Sequence, residues 1–369
     1  MTQSGQPPRW VDVGLIPLLN IAAAFLVSGL IILIIGEDPL EALQVLVAGA
    51  FGREEAIGYT LYYATNFTFT GLAVAVAFHA GLFNIGGEGQ AYIGGLGAGL
   101  VALGLDGHLP AGLVLPAAIL AAAAFGAGWA YIPAWLQAHR GSHIVITTIM
   151  FNFIASALMV YLLVNVLIKP GQMSPESREF EPGVWLPFMH EVLAWIGIEV
   201  SRSPLNLSFV LALLACVFVW FFIWRSRPGY AIRTVGFNDT AARYAGIDTR
   251  RVIVMTMAVS GALAGLVGVN EIMGVQHRLL LDFTAGYGFT GIAVSLMGRN
   301  HPVGIVLASL LFGALYQGGA ELDFEFHSIT RDMVLVIQGL VILFSGALAY
   351  MFNPVMARLF SQTAPAPGE

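Results

Sequence analysis

Apolar runs of about twenty residues follow one another along almost the whole chain. An α-helix rises about 1.5 Å per residue, so such a run can cross a hydrocarbon core about 30 Å thick. Breaks at glycine, proline and charge clusters divide the chain into about ten spans. They lie near 14–36, 59–80, 89–104, 110–134, 144–168, 205–224, 252–272, 285–299, 302–319 and 332–352. The expected fold is an all-α polytopic membrane protein. Charged residues make up only 10% of the 369 positions, well below the roughly 25% of a soluble domain. The third and eighth spans are short for a full crossing. Short, glycine-interrupted helices are tolerated only where protein or a cavity surrounds them. The first run is too long for a signal-peptide core and no small-residue cleavage site closes it, so it reads as a retained anchor.

Several function classes are excluded or disfavoured. The net charge of −6 argues against a nucleic-acid partner. The single cysteine, Cys216, lies in an apolar run, which rules out an internal disulfide and argues against a cysteine metal site. A Walker A loop needs a Gly-Lys pair, and the only lysine, Lys169, stands between Ile168 and Pro170. His79, His139, His143, His277, His301 and His327 are scattered at span ends. No metal and no cofactor is therefore assigned. No span carries His, Asp or Glu clustered at helical spacing, so a membrane-embedded enzyme is disfavoured.

Arginine placement gives the orientation. The loop 225–251 holds Arg225, Arg227, Arg233, Arg243, Arg250 and Arg251 against only Asp239 and Asp248. Alternating sides from that loop puts Arg9, Arg140, Arg299 and Arg358 on the same, cytoplasmic face. The opposite face collects Glu37, Asp38, Glu54, Glu55, Glu176, Glu179, Glu181, Glu191, Glu199, Glu321, Asp323 and Glu325. On this reading, ten spans with both termini cytoplasmic satisfy the rule without a violation. Residues 1–13 are then a cytoplasmic lead, 14–352 the transmembrane domain, and 353–369 a cytoplasmic tail of disordered composition. The proline-rich stretch 169–204 is the large external loop, with a short surface helix expected over 190–200.

The stretch GLFNIGGEGQ (81–90) interrupts two apolar runs with four glycines and with Asn84, Glu88 and Gln90. Glycines let the backbone turn and approach neighbours closely. Backbone groups freed at such a break cannot face lipid. A central charge costs about 2.5–3.5 kcal/mol on insertion scales, so Glu88 needs a partner or a wet cavity. Its natural partners are free N–H groups at the start of the third span, where the helix dipole favours an anion. Two roles are open to Glu88, bracing a broken helix or touching a passing solute, and bracing is preferred. Asn84 and Gln90 divide in the same way. Asn66 and Asn152, inside spans, could pass a polar solute along but read first as interhelical hydrogen bonds. Glu271, near the outer end of the seventh span, has no assigned role. Gly95/Gly99 and Gly261/Gly265 match the GxxxG pattern of close helix contacts. FTGLAVAVA (69–77) is echoed by FTGIAVSLM (289–297), which leaves a parallel internal repeat and a chance match equally open.

Within 225–251, Pro228-Gly229 breaks away from the sixth span. Asn238 or Asp239 suits an N-cap, TAARYA (240–245) holds strong helix formers, and Gly246 suits a left-handed helix end. So short a helix is marginal alone and should pack against something. Ala241 and Ala242 would permit close approach, while Arg243 and Tyr244 offer a charge and an aromatic anchor.

Three stretches then carry a resemblance: GLAVAVAFHAGLFNIGGEGQAYIGG (71–95), GYAIRTVGFNDTAARYAGID (229–248) and GFTGIAVSLMGRNHPVGI (288–305). The chain resembles the permease subunits of bacterial ABC importers for nucleosides and simple sugars, the group paired with binding lipoproteins of the basic-membrane-protein type. The resemblance implies a plasma (inner) membrane subunit, not itself an enzyme, that forms the passage for a small polar solute. It implies pairing with a second permease subunit, as a heterodimer, above a cytoplasmic ABC ATPase, with an external binding lipoprotein delivering the solute. A nucleoside is the first choice of solute and a ribose-like sugar the second. The segment with Arg233, Asn238, Asp239, Ala242, Arg243, Tyr244 and Gly246 then looks like the ATPase-docking loop. One departure stands out: Ser142-His143 precedes IVITTIMFN, where related permeases commonly have Asn-Glu. The rival reading is an ion-coupled secondary transporter or channel. It calls for intramembrane carboxylates, and Glu88 is taken as the only candidate away from the span ends.

Overall fold

The structure is a computed structural model and describes residue 11, residues 15–326 and residues 328–344. Arg9, Arg358, His327, the expected cytoplasmic lead and tail, and the end of the tenth span lie outside the described residues. Among the described residues the fold is helical, and each of the ten expected spans falls on a helix. Seven helices among the described residues are long and apolar enough to cross a membrane. The chain divides into two units, residues 1–49 with 315–369, and residues 50–314.

In the first unit, α1 (Ile16–Ile35) packs on α14 (Arg331–Ile342). The helix α1 ends at Gly36, whose φ of 100° is the left-handed closure that glycine permits. A helix α2 (Pro39–Phe51) follows where the sequence reading placed only an acidic loop. Its start signal was present: Asp38 Oδ1 accepts from the Leu40 N–H at 2.8 Å, and Pro39 occupies the first helical position. Within this unit α2 meets the end of α13 (Pro302–Glu325). A Cβ added to Gly318 would stand 2.3 Å from the Leu46 carbonyl oxygen.

The second unit is built around α3 (Glu54–His79), which is buried along most of its length. Packed on it or on each other are α4 (Gly87–Leu105), α5 (Ala111–Arg140), α11 (Thr249–Gly265) and α12 (Tyr287–Met297). Outside these lie α6 (Ile144–Asn165) and α8 (Ser208–Arg225). Their exposed leucines, isoleucines and phenylalanines form the surface expected against lipid. Gly261 and Gly265 make the expected close contact with a neighbouring helix, whereas Gly99 faces the Leu279 side chain. A Cβ on Gly261 would come 2.4 Å from the Gly126 oxygen, and one on Gly94 would come 2.3 Å from Gly265 Cα. Backbones this close gain dispersion contacts that larger residues would block. The two echoing segments pack together through equivalent glycines. Gly71 faces Val294, and Gly291 faces Thr70.

After α11 the helix widens into a π segment, Val269–Gln276, and the chain then turns at His277, which has φ 53°. The stretch 169–204 lies along this turn. Ser177 N–H donates to the Leu279 oxygen, Phe180 N–H to His277 and Leu186 N–H to Met273, at 2.7–2.9 Å. The expected surface helix is α7 (Met189–Trp195), shorter than foreseen.

The basic loop and the ends of α3, α5, α8 and α12 share one end of this unit. There His79 Nε2 lies 3.1 Å from the Asn300 oxygen, and the rings of Trp224 and His301 are 5.2 Å apart. Glu54, Glu176 and Glu191 belong to the other end. That end also carries arginines, so charge separation is not free of exceptions. Arg178 forks onto Asp106 at 2.5 and 2.7 Å, and Arg278 lies 3.4 Å from Glu176. Pairing lowers the cost of arginines on the acidic side.

Arg178 ties the 169–204 stretch to the end of α4, and its guanidinium holds the Asp106 carboxyl below the usual carboxylate range. A carboxylate with a depressed folded pKa stabilises the fold above its unfolded value, about 3.9, and loses that contribution as pH falls through the folded value. Limited proteolysis of 169–204 should therefore stay slow from neutral pH down to about 4 and accelerate only below it. Asp106→Asn should give fast cleavage already at neutral pH.

Candidate functional site

The helix α3 ends at His79, and the chain crosses seven residues before α4 begins at Gly87. The polar residues of this break are satisfied by one another. Asn84 Nδ2 donates to Gln90 Oε1 at 2.8 Å, and Gln90 Nε2 donates back to Asn84 Oδ1 at 3.0 Å. Asn84 also donates to Ser260 Oγ and accepts from the Gly86 N–H. Asn84 and Gln90 are fully buried. Asn152 of α6 fastens the outer side. Its Oδ1 accepts from the Gly89 N–H and its Nδ2 donates to the Ile85 oxygen, both at 2.9 Å. A buried backbone group left without such a partner would cost several kcal/mol in hydrocarbon.

Glu88 is the second residue of α4, and it reaches the start of a different helix. Its Oε1 accepts from the Gly286 N–H at 2.9 Å and its Oε2 from the Gly288 N–H at 2.7 Å. The Thr284 side chain is a further hydrogen-bond partner. These donors open α12, whose N-cap is Gly286. The first turns of α4 and α12 touch backbone to backbone. A Cβ on Gly288 would stand 2.1 Å from the Glu88 nitrogen. One carboxylate therefore lies in the first turn of its own helix and on the free N–H groups of another, where two partial positive charges converge. The sequence pointed Glu88 at the third span's own start; the main acceptance is at the eighth.

A second buried polar cluster was missed. Glu271, on the π segment, is 2% exposed. Its Oε1 accepts from Tyr62 Oη and from Asn66 Nδ2, each at 2.6 Å. Asn66 Oδ1 accepts from Asn270 Nδ2 at 2.8 Å. Asn270 Oδ1 in turn accepts from Asn206 Nδ2 and Ser208 Oγ at 2.9 and 2.6 Å. The cluster joins α3, the π segment and the start of α8. Glu88 is thus not the only carboxylate inside the bundle. Asn66 belongs to this cluster, apart from Asn84, Glu88, Gln90 and Asn152. The available signal was a carboxylate near the end of the seventh apolar span.

The basic loop is mostly helical. A helix α9 (Arg227–Phe237), not foreseen, starts at Ser226, whose hydroxyl accepts from the Gly229 N–H at 3.1 Å. Pro228 opens this helix rather than breaking the chain into a loop. Then α10 (Asp239–Tyr244) is capped by Asn238, whose Oδ1 accepts from the Ala241 N–H at 2.9 Å. Gly246 has φ 79° and closes it. Arg243 pairs with Asp239 at 2.6 Å. Ala242 is fully buried against its own chain, so it cannot be the close-approach residue for another subunit. Phe237 and Tyr244 are instead 96% and 90% exposed at this end. Arg233, on α9, lines a cavity with His79 and Tyr230.

Comparison with known proteins gives the same picture. The family described as branched-chain amino acid transport system, permease component, matches residues 56–346. The chain belongs to that permease family. It is 37% identical to the guanosine ABC transporter permease protein NupP of Bacillus subtilis, over 94% of this chain and 96% of the relative. It is 35% identical to the glucose ABC transporter permease protein TsgB13 of Haloferax volcanii, over 91% and 88%. It is 32% identical to the nucleoside ABC transporter permease protein NupB of Lactococcus lactis, over 89% and 90%. This permease is a multi-pass membrane protein, and its family role is transport rather than catalysis.

The geometry sharpens what substitution of Glu88 should do. Each hydrogen bond to a charged group is worth about 1.5–3 kcal/mol. Glu88→Ala removes both backbone contacts and should destabilise the assembled permease by about 3 kcal/mol or more. Glu88→Gln keeps one acceptor and turns an amide towards the other N–H, so about half of that loss is expected. Thermal unfolding in detergent, monitored by loss of the monodisperse chromatographic peak, should rank wild type above Gln above Ala. Equal stability of all three would remove the bracing role.

Proposed function

We propose that this chain is the passage-forming subunit of an ABC importer for a nucleoside, with a ribose-like sugar as the second choice. ATP is hydrolysed on a separate cytoplasmic ATPase, a second permease subunit completes the passage, and an external binding lipoprotein delivers the solute. The observation that carries this reading is the short helix α10 at the basic end, capped by Asn238 and Gly246, with Tyr244 and the neighbouring Phe237 left exposed. Exposed aromatic side chains on a rigid, capped turn are the anchors expected where another subunit docks. Relatives named as nucleoside and guanosine permeases support the choice of solute. Glu88, Asn84, Gln90 and Asn152 hold the helix break in place beside the passage. Glu271 would have favoured an ion-coupled carrier, but the family and the relatives are ABC transporter components, so that reading is set aside.

Docking through Phe237 and Tyr244 has a specific signature. The double substitution Phe237→Ala, Tyr244→Ala should leave membrane insertion and pairing with the second permease intact. Co-purification of the ATPase and guanosine-stimulated ATP hydrolysis should fall together, by about tenfold or more for two aromatic anchors. Retained ATPase with normal uptake of labelled guanosine would show that this end is only a basic tether.

A further inference from the structure

Between the π segment and α12 the chain runs from His277 to Gly286 without regular structure. Neighbouring helices fix its depth. The 11 residues of α12 rise about 16 Å, half of a hydrocarbon core about 30 Å thick. Beyond the basic end of α12, Asn300 meets His79, the last residue of α3. At the other end Tyr287 packs edge-on against Phe67, with ring centroids 5.6 Å apart. Phe67 is the fourteenth of the 26 residues of α3, so α12 starts at the middle of a helix long enough to span the membrane. Asp282 lies one helical turn of α4 beyond that level. Its N–H donates at 2.8 Å to Oη of Tyr92, four residues after Glu88.

Two carboxylates thus stand at nearly the same depth in opposite conditions. Glu88 gives its oxygens to Gly286 and Gly288. Asp282 is exposed, and its carboxylate has no hydrogen-bond or ion-pair partner among the described residues. The turn holds it outward. Phe283 is buried behind it against Tyr92, with ring centroids 5.1 Å apart, and the Ala285 N–H donates to the Asp282 carbonyl oxygen at 3.1 Å. Ala285 and, one turn on, Phe289 are exposed as well. Lipid cannot be the neighbour of this surface. Irregular backbone at membrane depth is tolerated only against protein or water, and an ionised side chain there is costly unless it is paired or wet. Dry protein alone would bury an unpaired charge. The middle of α8 shows the contrast, an apolar face with Val217 63% exposed.

We propose that the start of α12 faces the passage shared with the second permease subunit, and that the Asp282 carboxylate accepts hydrogen bonds from solute hydroxyls as they cross the middle of the membrane. An ionised carboxylate is an acceptor only, so it favours a solute rich in hydroxyl donors, such as the neighbouring hydroxyls of a ribose ring. Phe289 offers a flat apolar face to the solute's ring one turn deeper. This inference rests on the importer reading above and adds to it a specificity-determining residue.

The test uses the whole importer complex during ATP-driven turnover with its binding lipoprotein. Cys216→Ala removes the buried native thiol, and Ala285→Cys or Val217→Cys then places a thiol on the proposed passage face or on the apolar face of α8. A small charged methanethiosulfonate should label Ala285→Cys at least tenfold faster than Val217→Cys. Equally slow labelling of both overturns the passage face. Uptake is then measured in proteoliposomes with whichever of guanosine and ribose the wild type imports. Asp282→Asn should lower kcat about tenfold, the loss of a charged acceptor, with KM unchanged because the lipoprotein captures the solute. Asp282→Glu should restore most of that rate. Unchanged uptake by Asp282→Asn overturns the contact with solute. Loss of the second permease subunit from purified Asp282→Asn also overturns it, and makes Asp282 a subunit-pairing residue. Fast labelling of Ala285→Cys in a complex that imports neither solute upholds the passage face and overturns the nucleoside-importer reading.

Discussion

The contact on which the second unit depends is a carboxylate between two helix beginnings. The first turns of α4 and α12 each expose N–H groups that no residue of their own helix can accept from. Bringing those turns into backbone contact concentrates positive potential where no water is expected. Glu88 answers both demands, lying in the first turn of α4 and accepting from Gly286 and Gly288 at the start of α12. Only glycine lets the backbones meet there, since a Cβ on Gly288 would stand 2.1 Å from the Glu88 nitrogen. The polar interruption of two apolar runs is thus a requirement of the fold.

From that contact, two devices lead to the two ends of the unit. Towards the basic end, α3 closes at His79 against Asn300, and α10 abuts α9 and α11. Towards the other end, α11 widens into the π segment that carries Glu271. A displacement at α10 reaches α11 directly, and α11 continues into the buried cluster. The basic end and the buried polar cluster at the other end are therefore linked through one helix.

Much of this was legible in the sequence because apolar length and helix punctuation act locally. Every expected span falls on a helix, and Asn238 and Gly246 cap α10 as their side chains dictate. The helix α9 was missed because Pro228-Gly229 was read as a break, although Pro228 opens a helix, and α2 because Glu37 and Asp38 were read only as acids of a connecting loop. Ala242 was assigned outward because smallness permits close approach to anything; only the packed chain shows that the neighbour is α11 and α9. Glu271 and Asp106 escaped for another reason. Their partners, Tyr62, Asn66 and Arg178, are distant in sequence, and no local pattern encodes such pairing.

The central claim is that the Glu88 carboxylate holds the starts of α4 and α12 together. Amide hydrogen exchange in the intact importer, comparing wild type with Glu88→Ala, tests it most directly. The account predicts faster exchange confined to the first turns of the two helices, at 87–90 and 286–290, with the remaining spans unchanged. Unaltered protection at Gly286 and Gly288 would contradict it.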